Sequence, residues 1–400
     1  MKSKAIILLL FALAAALVIW KVTHPAAVGP AAGPGGAGGT SGPAAPPPPA
    51  GPRTTLTVVF GTEKDAWMQA AASDFRSAHP EYDVVLVPKG SLEAAQDILD
   101  GKLRPVVWSP ADSLVLGLLS ADWRTKNGSA LFAVDGDQAP QPLLLSPLVF
   151  AIWEDRAQAL LKAGKGELTW KTIRRAVGST KGWPAVGGKG EWGFVKLGHT
   201  DPTKSNSGLQ ALWSMTLEFF GRGAPISVEN LLRPDYQAFV SSIEHGVTRF
   251  EASTGTFMID MVRFGPSKYD MALVYESSAI AQLANAQGRW GDLHVYYPQL
   301  TVWSDHPGAL LEGDWVTPAQ RTAGRKFLAH LRSREVQGRA LAFGFRPADP
   351  GIPIKTAGTD NPFNRLARYG LKSDLPPVAP TPEPAVVRNL MTLWSRMMTR

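Results

Sequence analysis

Apolar runs with strand-like spacing alternate with helix-like stripes through most of the chain after residue 53. Runs of apolar, mainly β-branched residues predict strands at residues 56–60, 83–87, 105–108, 194–197 and 271–275. Apolar residues at helical spacing predict helices at residues 67–78, 92–99, 319–331 and 387–394, and helices that start near residues 112, 207 and 276. Strands that alternate with helices through short loops are typical of an α/β fold with a parallel sheet covered on both faces.

The first 53 residues follow a different pattern. The apolar run from Ala5 to Trp20 carries no charge and follows Lys2 and Lys4, so residues 1–24 are predicted to be a signal anchor or a cleaved signal peptide. An anchor is favoured, because prolines directly follow the small residues at which cleavage would occur. The lysines then keep the N-terminus in the cytoplasm and place the rest of the chain outside. Residues 25–53, nearly all Pro, Gly and Ala, are predicted to form a disordered linker.

Composition narrows the class of protein. The chain has 400 residues, of which 44% are apolar and 19% charged, values that suit two globular domains or lobes. Its 41 Lys and Arg against 34 Asp and Glu give a formal charge of +7, but the basic residues are not clustered as a nucleic-acid surface requires. The absence of cysteine excludes disulfides, thiol catalysis, cysteine-bound metals and a lipid-bearing N-terminal cysteine.

Motifs of catalysis and cofactor binding are absent from the sequence or lie in the wrong context. The segment from Gly188 to Gly193 matches the dinucleotide pattern G-x-G-x-x-G, but it precedes a predicted strand instead of a helix. The seven histidines are isolated, and the serine-hydrolase pattern G-x-S-x-G does not occur. We therefore predict no catalytic residue, no metal site and no cofactor.

Polar turns follow four of the predicted strands. The most pronounced runs from Gly198 to Gly208, where a strand ends and a helix begins. The others are Gly61-Thr62-Glu63, Ser109 to Ser113 and Glu276-Ser277-Ser278. In open α/β sheets ligands bind at the carboxyl ends of the strands, and free N–H groups at a helix start attract polar oxygens. Each turn alone is explained by capping of its helix, but four together predict a ligand cleft.

Four stretches of the chain resemble a known family. They are Val107 to Ser113, Gly198 to Gly208, Phe264 to Glu276, and Gly313 to Pro318 together with Gly344 to Pro347. Over roughly Thr54 to Tyr369 the chain resembles the bacterial extracellular solute-binding proteins of ABC transport systems, in the type II class that includes molybdate- and sulfate-binding proteins. The resemblance implies an α/β, two-lobed, periplasmic-binding-protein-like fold with a ligand cleft between lobes that close by hinge bending.

The resemblance also implies how the chain divides. Residues 54–150 and 299–372 would form the first lobe and residues 151–298 the second. The chain would cross between lobes near residues 144–152 and 297–302. Residues 373–400 would be a Pro-rich segment and a C-terminal helix that packs back onto the first lobe.

By the same resemblance, small residues of the loops face the ligand, namely Gly61, Thr62, Ser109, Ser113, Thr200, Ser205, Asn206 and Ser207. The loops of this chain add carboxylates at Glu63, Asp112, Asp201 and Glu276. Two or more carboxylates pointing inward would oppose a bare oxyanion and favour a polyol, an amine or a metal-bearing ligand. The alternative is that they cap helices with their side chains turned outward. Trp67, Trp108 and Trp303 are either aromatic walls of the cleft or core residues.

These observations predict a solute-binding protein rather than an enzyme. It would stand on the periplasmic or extracellular side of the cytoplasmic membrane, held by the N-terminal helix. There it would capture a small polar ligand for an ABC-type importer and its membrane permease. We expect a monomer, with the ligand class open between oxyanion, polyol and amine. The alternative is a membrane-tethered sensor or protein-interaction module that uses the same fold without transport.

Overall fold

The structure is a computed structural model and describes residues 52–221, 225–355 and 361–399. The predicted signal anchor and almost all of the predicted linker lie outside these described residues. Within the described ranges, no helix combines the length and the apolar character needed to cross a membrane.

Strands and helices alternate through the described residues. The strands are β1 (Thr54–Phe60), β2 (Tyr82–Pro88), β3 (Val107–Ser109), β4 (Gln141–Pro142), β5 (Leu144–Trp153), β6 (Leu197–Thr200), β7 (Val247–Glu251), β8 (Met271–Tyr275), β9 (Leu293–Tyr296), β10 (Trp303–Ser304), β11 (Pro307–Leu310) and β12 (Arg346–Pro347). The α-helices are α1 (Asp65–Ala78), α2 (Ser91–Leu99), α3 (Ser113–Asn127), α4 (Glu154–Ala163), α5 (Trp170–Val177), α6 (Asn206–Phe220), α7 (Val228–Leu231), α8 (Pro234–Glu244), α9 (Thr254–Phe264), α10 (Glu276–Ala286), α11 (Pro318–Leu331), α12 (Arg334–Arg339), α13 (Pro362–Arg365) and α14 (Pro384–Met398).

The described strands form two mixed sheets. The first has the strand order β2-β1-β3-β11-β4, with β1 parallel to β2 and β3 and with β11 antiparallel to β3. The second has the order β10-β5-β8-β6-β7, and β9 and β12 also pair with β5. In this second sheet β6 is parallel to β7 and β8, whereas β5 is antiparallel to β8.

Neither sheet is parallel throughout, which corrects the expectation from the sequence. A parallel neighbour requires a long crossover connection, usually a helix. By contrast, β5 and β11 each come straight from the other sheet, through Leu143 and through Asp305-His306 respectively. The first passage therefore lies at Leu143, just before the predicted residues 144–152, which belong to strand β5, and the second lies at Asp305-His306, beyond the predicted residues 297–302.

Apolar side chains cover both faces of each sheet. Along β5, Leu148 enters one apolar cluster and its neighbour Val149 another, as the alternation of a strand requires. Along β1, Phe60 packs with α1 and α11, whereas Val59 enters the cluster on the opposite face. Leu148 and Val59 belong to the same cluster, so one apolar core runs between the two sheets.

The C-terminal helix α14 contacts elements of both sheets. Its apolar face, formed by Val386, Val387, Leu390 and Trp394, is buried in the shared core. The helix packs against α3, which follows β3 of the first sheet, and against α7 and α8, which precede β7 of the second. The sequence predicted contact with the first lobe, and the contacts with α7 and α8 come in addition.

Polar contacts with α3 and α8 hold α14 in place. Arg388 pairs with Asp122 of α3 at 2.9 Å, with side chains that are 42% and 38% exposed. Trp394 Nε1 donates to Glu244 Oε2 of α8 at 2.7 Å, and Glu244 is fully buried. Glu244 Oε1 in turn lies 3.1 Å from His199 Nε2. Burial opposes the charged imidazole, but the Glu244 carboxylate outweighs it and raises the pKa of His199.

Candidate functional site

Loops from the two sheets meet at the carboxyl ends of β1, β3, β6 and β8. Gln210 of α6 donates through Nε2 to Asp112 Oδ2 at 2.7 Å, which joins the second sheet to the first. At the start of α9, a Cβ on Gly255 would lie 3.2 Å from Thr62 O, so glycine allows a close approach there. We call the buried polar residues at this junction the polar cluster: Lys64, Ser109, Thr200, Ser205, Asn206, Ser207, Gln210, Thr254, Tyr275, Ser304 and His306.

Lys64 is the cation of the polar cluster. Its Nζ lies 2.9 Å from Glu63 Oε1, 3.1 Å from Pro110 O and 3.4 Å from His306 Nδ1. Burial lowers the pKa of Lys64, although the Glu63 carboxylate opposes the shift. Burial also works against ionisation of Glu63, but the Lys64 ammonium and His306 outweigh it and lower the pKa of Glu63 to about 2. The positive charge of Lys64 is therefore already neutralised by its neighbour.

Two carboxylates lie at the start of α3, beside the polar cluster. Asp112 Oδ1 accepts from Leu114 N at 2.8 Å and so caps the helix, while Oδ2 accepts from Gln210. Asp305 accepts from the backbone N–H of Ser113 at 2.8 Å and from the Ser113 hydroxyl. Burial, and then the negative charge of Asp305, raise the pKa of Asp112 to about 7. Asp112 thus caps its helix and contacts the other sheet at the same time.

Hydroxyl groups around the start of α6 form one side of the polar cluster. Ser207 Oγ lies 2.7 Å from Thr200 Oγ1 and 2.6 Å from Thr254 Oγ1, which links the loops after β6 and β7. Ser205 Oγ lies 3.3 Å from the same Thr254 hydroxyl. Glycine at position 208 permits this close packing, because a Cβ there would lie 2.1 Å from Thr200 O.

Two amide side chains of α6 extend the polar cluster toward the passage between β10 and β11. Asn206 Nδ2 lies 3.1 Å from Tyr275 OH and 3.3 Å from Ser304 Oγ. Gln210 Nε2 donates to Ser304 Oγ at 2.9 Å and to Trp303 O at 3.0 Å. Burial raises the pKa of Tyr275 well above its ordinary value, so its hydroxyl remains protonated and able to donate.

The hydrogen bonding of the polar cluster is incomplete. Four of its buried atoms have no hydrogen-bond partner among the described protein atoms, namely Ser109 Oγ, Asn206 Oδ1, Gln210 Oε1 and His306 Nε2. Each such atom costs about 1–3 kcal/mol relative to a satisfied one. His306 also has a φ of 39°, a left-handed conformation that non-glycine residues adopt rarely and often at functional sites. A small polar molecule at this junction would supply the missing partners.

Two of the predicted carboxylates serve local structure in the described residues. Asp201 Oδ1 accepts from Thr203 N at 2.8 Å and from Thr203 Oγ1 at 2.6 Å, which is the capping alternative. Glu276 is fully buried, but it receives two bonds from Arg346, at 2.7 and 2.8 Å, and one from the Tyr297 hydroxyl. The contacts of both carboxylates thus lie outside the polar cluster.

Gly61 and the three tryptophans singled out in the sequence differ in their surroundings. A Cβ on Gly61 would lie 2.2 Å from Glu63 Oε1, so the turn after β1 folds back on itself at this glycine. Trp67 and Trp108 are buried in apolar clusters and are core residues. Trp303 is partly buried in β10, next to the polar cluster.

Sequence reasoning missed the polar residues at the end of β10 and in the passage to β11. Ser304, Asp305 and His306 interrupt a region that is otherwise apolar, and that interruption was the available signal. It also missed Lys64, one residue beyond a predicted ligand loop, and Gln210, which lies between the apolar residues of α6 and is buried among them.

Features of metal and dinucleotide sites are lacking in the part of the chain that the structure describes. No group of three or more His, Asp or Glu side chains there is placed to hold a metal ion. The Gly188–Gly193 segment includes a 3-10 turn (Gly190–Trp192), and its Trp192 packs against Trp183 with ring centroids 5.4 Å apart. The segment is therefore a packed loop and does not open a helix as the dinucleotide motif requires.

A family model of bacterial extracellular solute-binding proteins matches residues 56–346. The chain belongs to this family. The match begins in β1 and ends in β12, so it includes every loop of the polar cluster. The family comprises substrate-binding proteins rather than enzymes and implies a location outside the cytoplasm. No curated protein matches the chain in sequence.

Solved structures of ABC transporter binding proteins share the type II fold of this solute-binding chain. The sulfate-binding protein SubI from Mycobacterium tuberculosis H37Rv aligns with a TM-score of 0.53 at 15% identity, covering 81% of this chain and 94% of its own. Iron-bound HitA from Pseudomonas aeruginosa aligns at 0.55 and 15% identity, covering 86% and 99%. AfuA from Actinobacillus pleuropneumoniae, with fructose-6-phosphate bound, aligns at 0.53 and 12% identity, covering 86% and 97%. Identities this low establish the fold and leave the ligand open.

Proposed function

We propose that the protein captures a small polar ligand in the polar cluster and delivers it to the membrane permease of an ABC-type importer. The observation that supports this is the set of buried atoms without partners. Ser109 at the end of β3 and His306 just before β11 contribute them beside the first sheet, and Asn206 and Gln210 contribute them from α6 beside the second. A ligand bonded to both sides is held only while the sheets are together, so binding favours the closed arrangement.

The proposed lobes are those that the sequence resemblance implies, residues 54–150 with 299–372 and residues 151–298. Asp201 and Glu276 are left out of the proposed site, because their carboxylates are engaged in local structure. From the predicted set we retain Gly61, Thr62, Glu63, Ser109, Asp112, Ser113, Thr200, Ser205, Asn206 and Ser207. To these we add Lys64, Gln210, Tyr275, Ser304 and His306.

We also propose that residues 1–24 anchor the protein to the outer face of the cytoplasmic membrane. This rests on the apolar run and its flanking lysines. In the native host the protein should fractionate with the membrane and retain its N-terminus. A soluble species that starts after residue 27 would refute the anchor.

A thermal-shift screen of the full-length protein in detergent tests ligand capture. The panel contains oxyanions, sugars, polyols, amino acids and polyamines. A ligand present at about 100 times its dissociation constant adds roughly 2.7 kcal/mol to the free energy of unfolding and raises the midpoint. We expect such a rise with one chemical class. An unchanged midpoint across the panel would count against ligand capture.

A double variant tests whether the ligand-dependent rise of the unfolding midpoint depends on the polar cluster. Ser205→Ala with Asn206→Ala removes two polar groups of the cluster, so the ligand-dependent rise should shrink while the ligand-free protein stays folded. The matched control, Ser77→Ala with Asn285→Ala, changes exposed helical positions and should keep the full rise. A full rise in the first double variant would exclude the start of α6 from the site.

A further inference from the structure

Gln210 presents an unpaired hydrogen-bond acceptor inside the polar cluster. Its Nε2 lies 2.7 Å from Asp112 Oδ2 and 3.0 Å from Trp303 O. A backbone carbonyl oxygen can only accept, so the amide must keep its NH2 group on that side. This orientation leaves Oε1 as the free atom, and Oε1 is buried without a partner among the described protein atoms.

His306 presents a second acceptor. Its Nδ1 lies 3.2 Å from Glu63 Oε1 and 3.4 Å from Lys64 Nζ. Because the Lys64 ammonium already donates over shorter distances to Glu63 Oε1 and to Pro110 O, we assign the ring proton to Nδ1, where it is donated to the carboxylate. Burial and the nearby Lys64 ammonium lower the pKa of His306 and keep the ring neutral. Nε2 then carries a lone pair, and it too is buried without a partner among the described atoms.

The remaining groups of the polar cluster also leave mainly hydrogen-bond acceptors free. Asn206 adds a third buried oxygen without a described partner, while its Nδ2 contacts the hydroxyls of Tyr275 and Ser304. Carboxylates lie at the junction at Glu63, which pairs with Lys64, at Asp112, whose pKa is raised to about 7, and at Asp305. The buried cation of the polar cluster, Lys64, is already paired. Of the four atoms of the cluster without a described partner, three are acceptors and Ser109 Oγ can also donate, so the free hydrogen-bonding capacity is mainly accepting.

We propose that the ligand of the polar cluster is rich in hydrogen-bond donors and carries no net negative charge, as a polyol or a protonated amine does. This inference rests on the proposed function. Only N–H or O–H groups of a ligand can satisfy Gln210 Oε1 and His306 Nε2. Fully ionised sulfate or molybdate has no such group. Ser109 Oγ could donate to it, but Gln210 Oε1 and His306 Nε2 would stay buried without a partner.

Isothermal titration calorimetry on the full-length protein in detergent tests the ligand class. The probes are sorbitol, myo-inositol and glucose as polyols, putrescine and spermidine as amines, and sulfate and molybdate as oxyanions. We expect at least one polyol or amine to bind about tenfold or more tighter than either oxyanion, a difference of about 1.4 kcal/mol. Tighter binding of sulfate or molybdate would overturn the inference and leave the proposed function standing. Absence of binding by every probe would overturn both.

Two substitutions at one position sharpen the test. Asn206→Leu removes the acceptor Oδ1 and should lower the affinity for a donor-rich ligand about tenfold or more. Asn206→Asp keeps an oxygen there, and its second oxygen can accept from the hydroxyls of Tyr275 and Ser304. The added charge should raise the affinity for an amine about tenfold, change the affinity for a polyol less than about threefold and lower the affinity for an oxyanion.

Asn285→Leu and Asn285→Asp are matched controls at an exposed position of α10, and their affinities should equal those of the unmodified protein. Circular-dichroism melts of all four variants verify that they fold. The inference would be overturned if folded Asn206→Leu bound the ligand as tightly as its control, Asn285→Leu. It would also be overturned if an oxyanion bound Asn206→Asp more tightly than it binds the unmodified protein.

Discussion

The buried ion pair between Glu276 and Arg346 is expected to contribute to stability and not to ligand binding. The two side chains are 0% and 3% exposed and share two bonds, at 2.7 and 2.8 Å. Arg346→Met leaves the Glu276 carboxylate buried with only the Tyr297 hydroxyl as its remaining partner among these contacts. Removal of one partner from a buried pair lowers the free energy of unfolding by about 3–5 kcal/mol.

Urea unfolding measures this loss. With an m value of about 3 kcal/mol/M, the midpoint should fall by about 1–1.7 M. Arg334→Met is the matched control, because Arg334 pairs with Asp349 through side chains that are 67% and 38% exposed. Its loss should stay below about 1 kcal/mol.

A double variant and a ligand titration complete the test. Glu276→Leu with Arg346→Met leaves no uncompensated charge, so it should be more stable than Arg346→Met alone. A loss in Arg346→Met no larger than in Arg334→Met would refute the energetic reasoning. If Glu276→Gln weakened the ligand about tenfold without a loss of stability, Glu276 would be a ligand residue, as the sequence predicted.

Three further changes test the loops of the site. Folding raises the pKa of Asp112 from 3.8 to about 7. The contribution of Asp112 to the free energy of unfolding is therefore full below about pH 4, and it falls by up to about 1.4 kcal/mol per pH unit as the pH rises toward 7. Asp112→Asn should remove that decline from the urea midpoints, and a decline of equal slope in the variant would refute it. Asp201→Ala should cost about 1 kcal/mol through loss of its contacts with Thr203 and leave calorimetric affinity unchanged, whereas a tenfold weaker ligand would return Asp201 to the site. Gly208→Ala should lower the melting temperature despite the gain of about 1 kcal/mol in helix propensity, because its Cβ would lie 2.1 Å from Thr200 O; a higher melting temperature would contradict this.

Strands with a simple apolar pattern could be predicted, and those set by backbone turns could not. The runs at residues 56–60 and 271–275 form β1 and β8. The strand predicted at 194–197 begins only at Leu197, because a 3-10 turn precedes it and Gly193 has a φ of 69°. Apolar periodicity carries no information about such a turn.

The polar cluster was predictable only in part, for a related reason. Ser205, Asn206 and Ser207 stand at a helix start after a strand, which is a local pattern that a sequence displays. Gln210 meets Asp112 at a separation of 98 residues, and Lys64 meets His306 at a separation of 242. These contacts depend on how the two sheets come together, and no short motif records that.

The C-terminal helix α14 makes the two halves of the molecule unequal in any opening motion. Its contact with α8 is a buried hydrogen bond from Trp394 to Glu244, of a kind worth about 1.5–3 kcal/mol. Its polar contacts with α3 are the half-exposed pair of Arg388 and Asp122, worth about 0–1 kcal/mol, and a long bond of 3.5 Å from Arg388 to Leu118 O. The weaker contact should break first, so we expect α14 to move with the second sheet and to expose α3. Faster amide hydrogen exchange in α3 without ligand would reveal this motion. The helix then acts as a latch, and the dwell time of a captured ligand depends partly on an element outside the polar cluster that holds it.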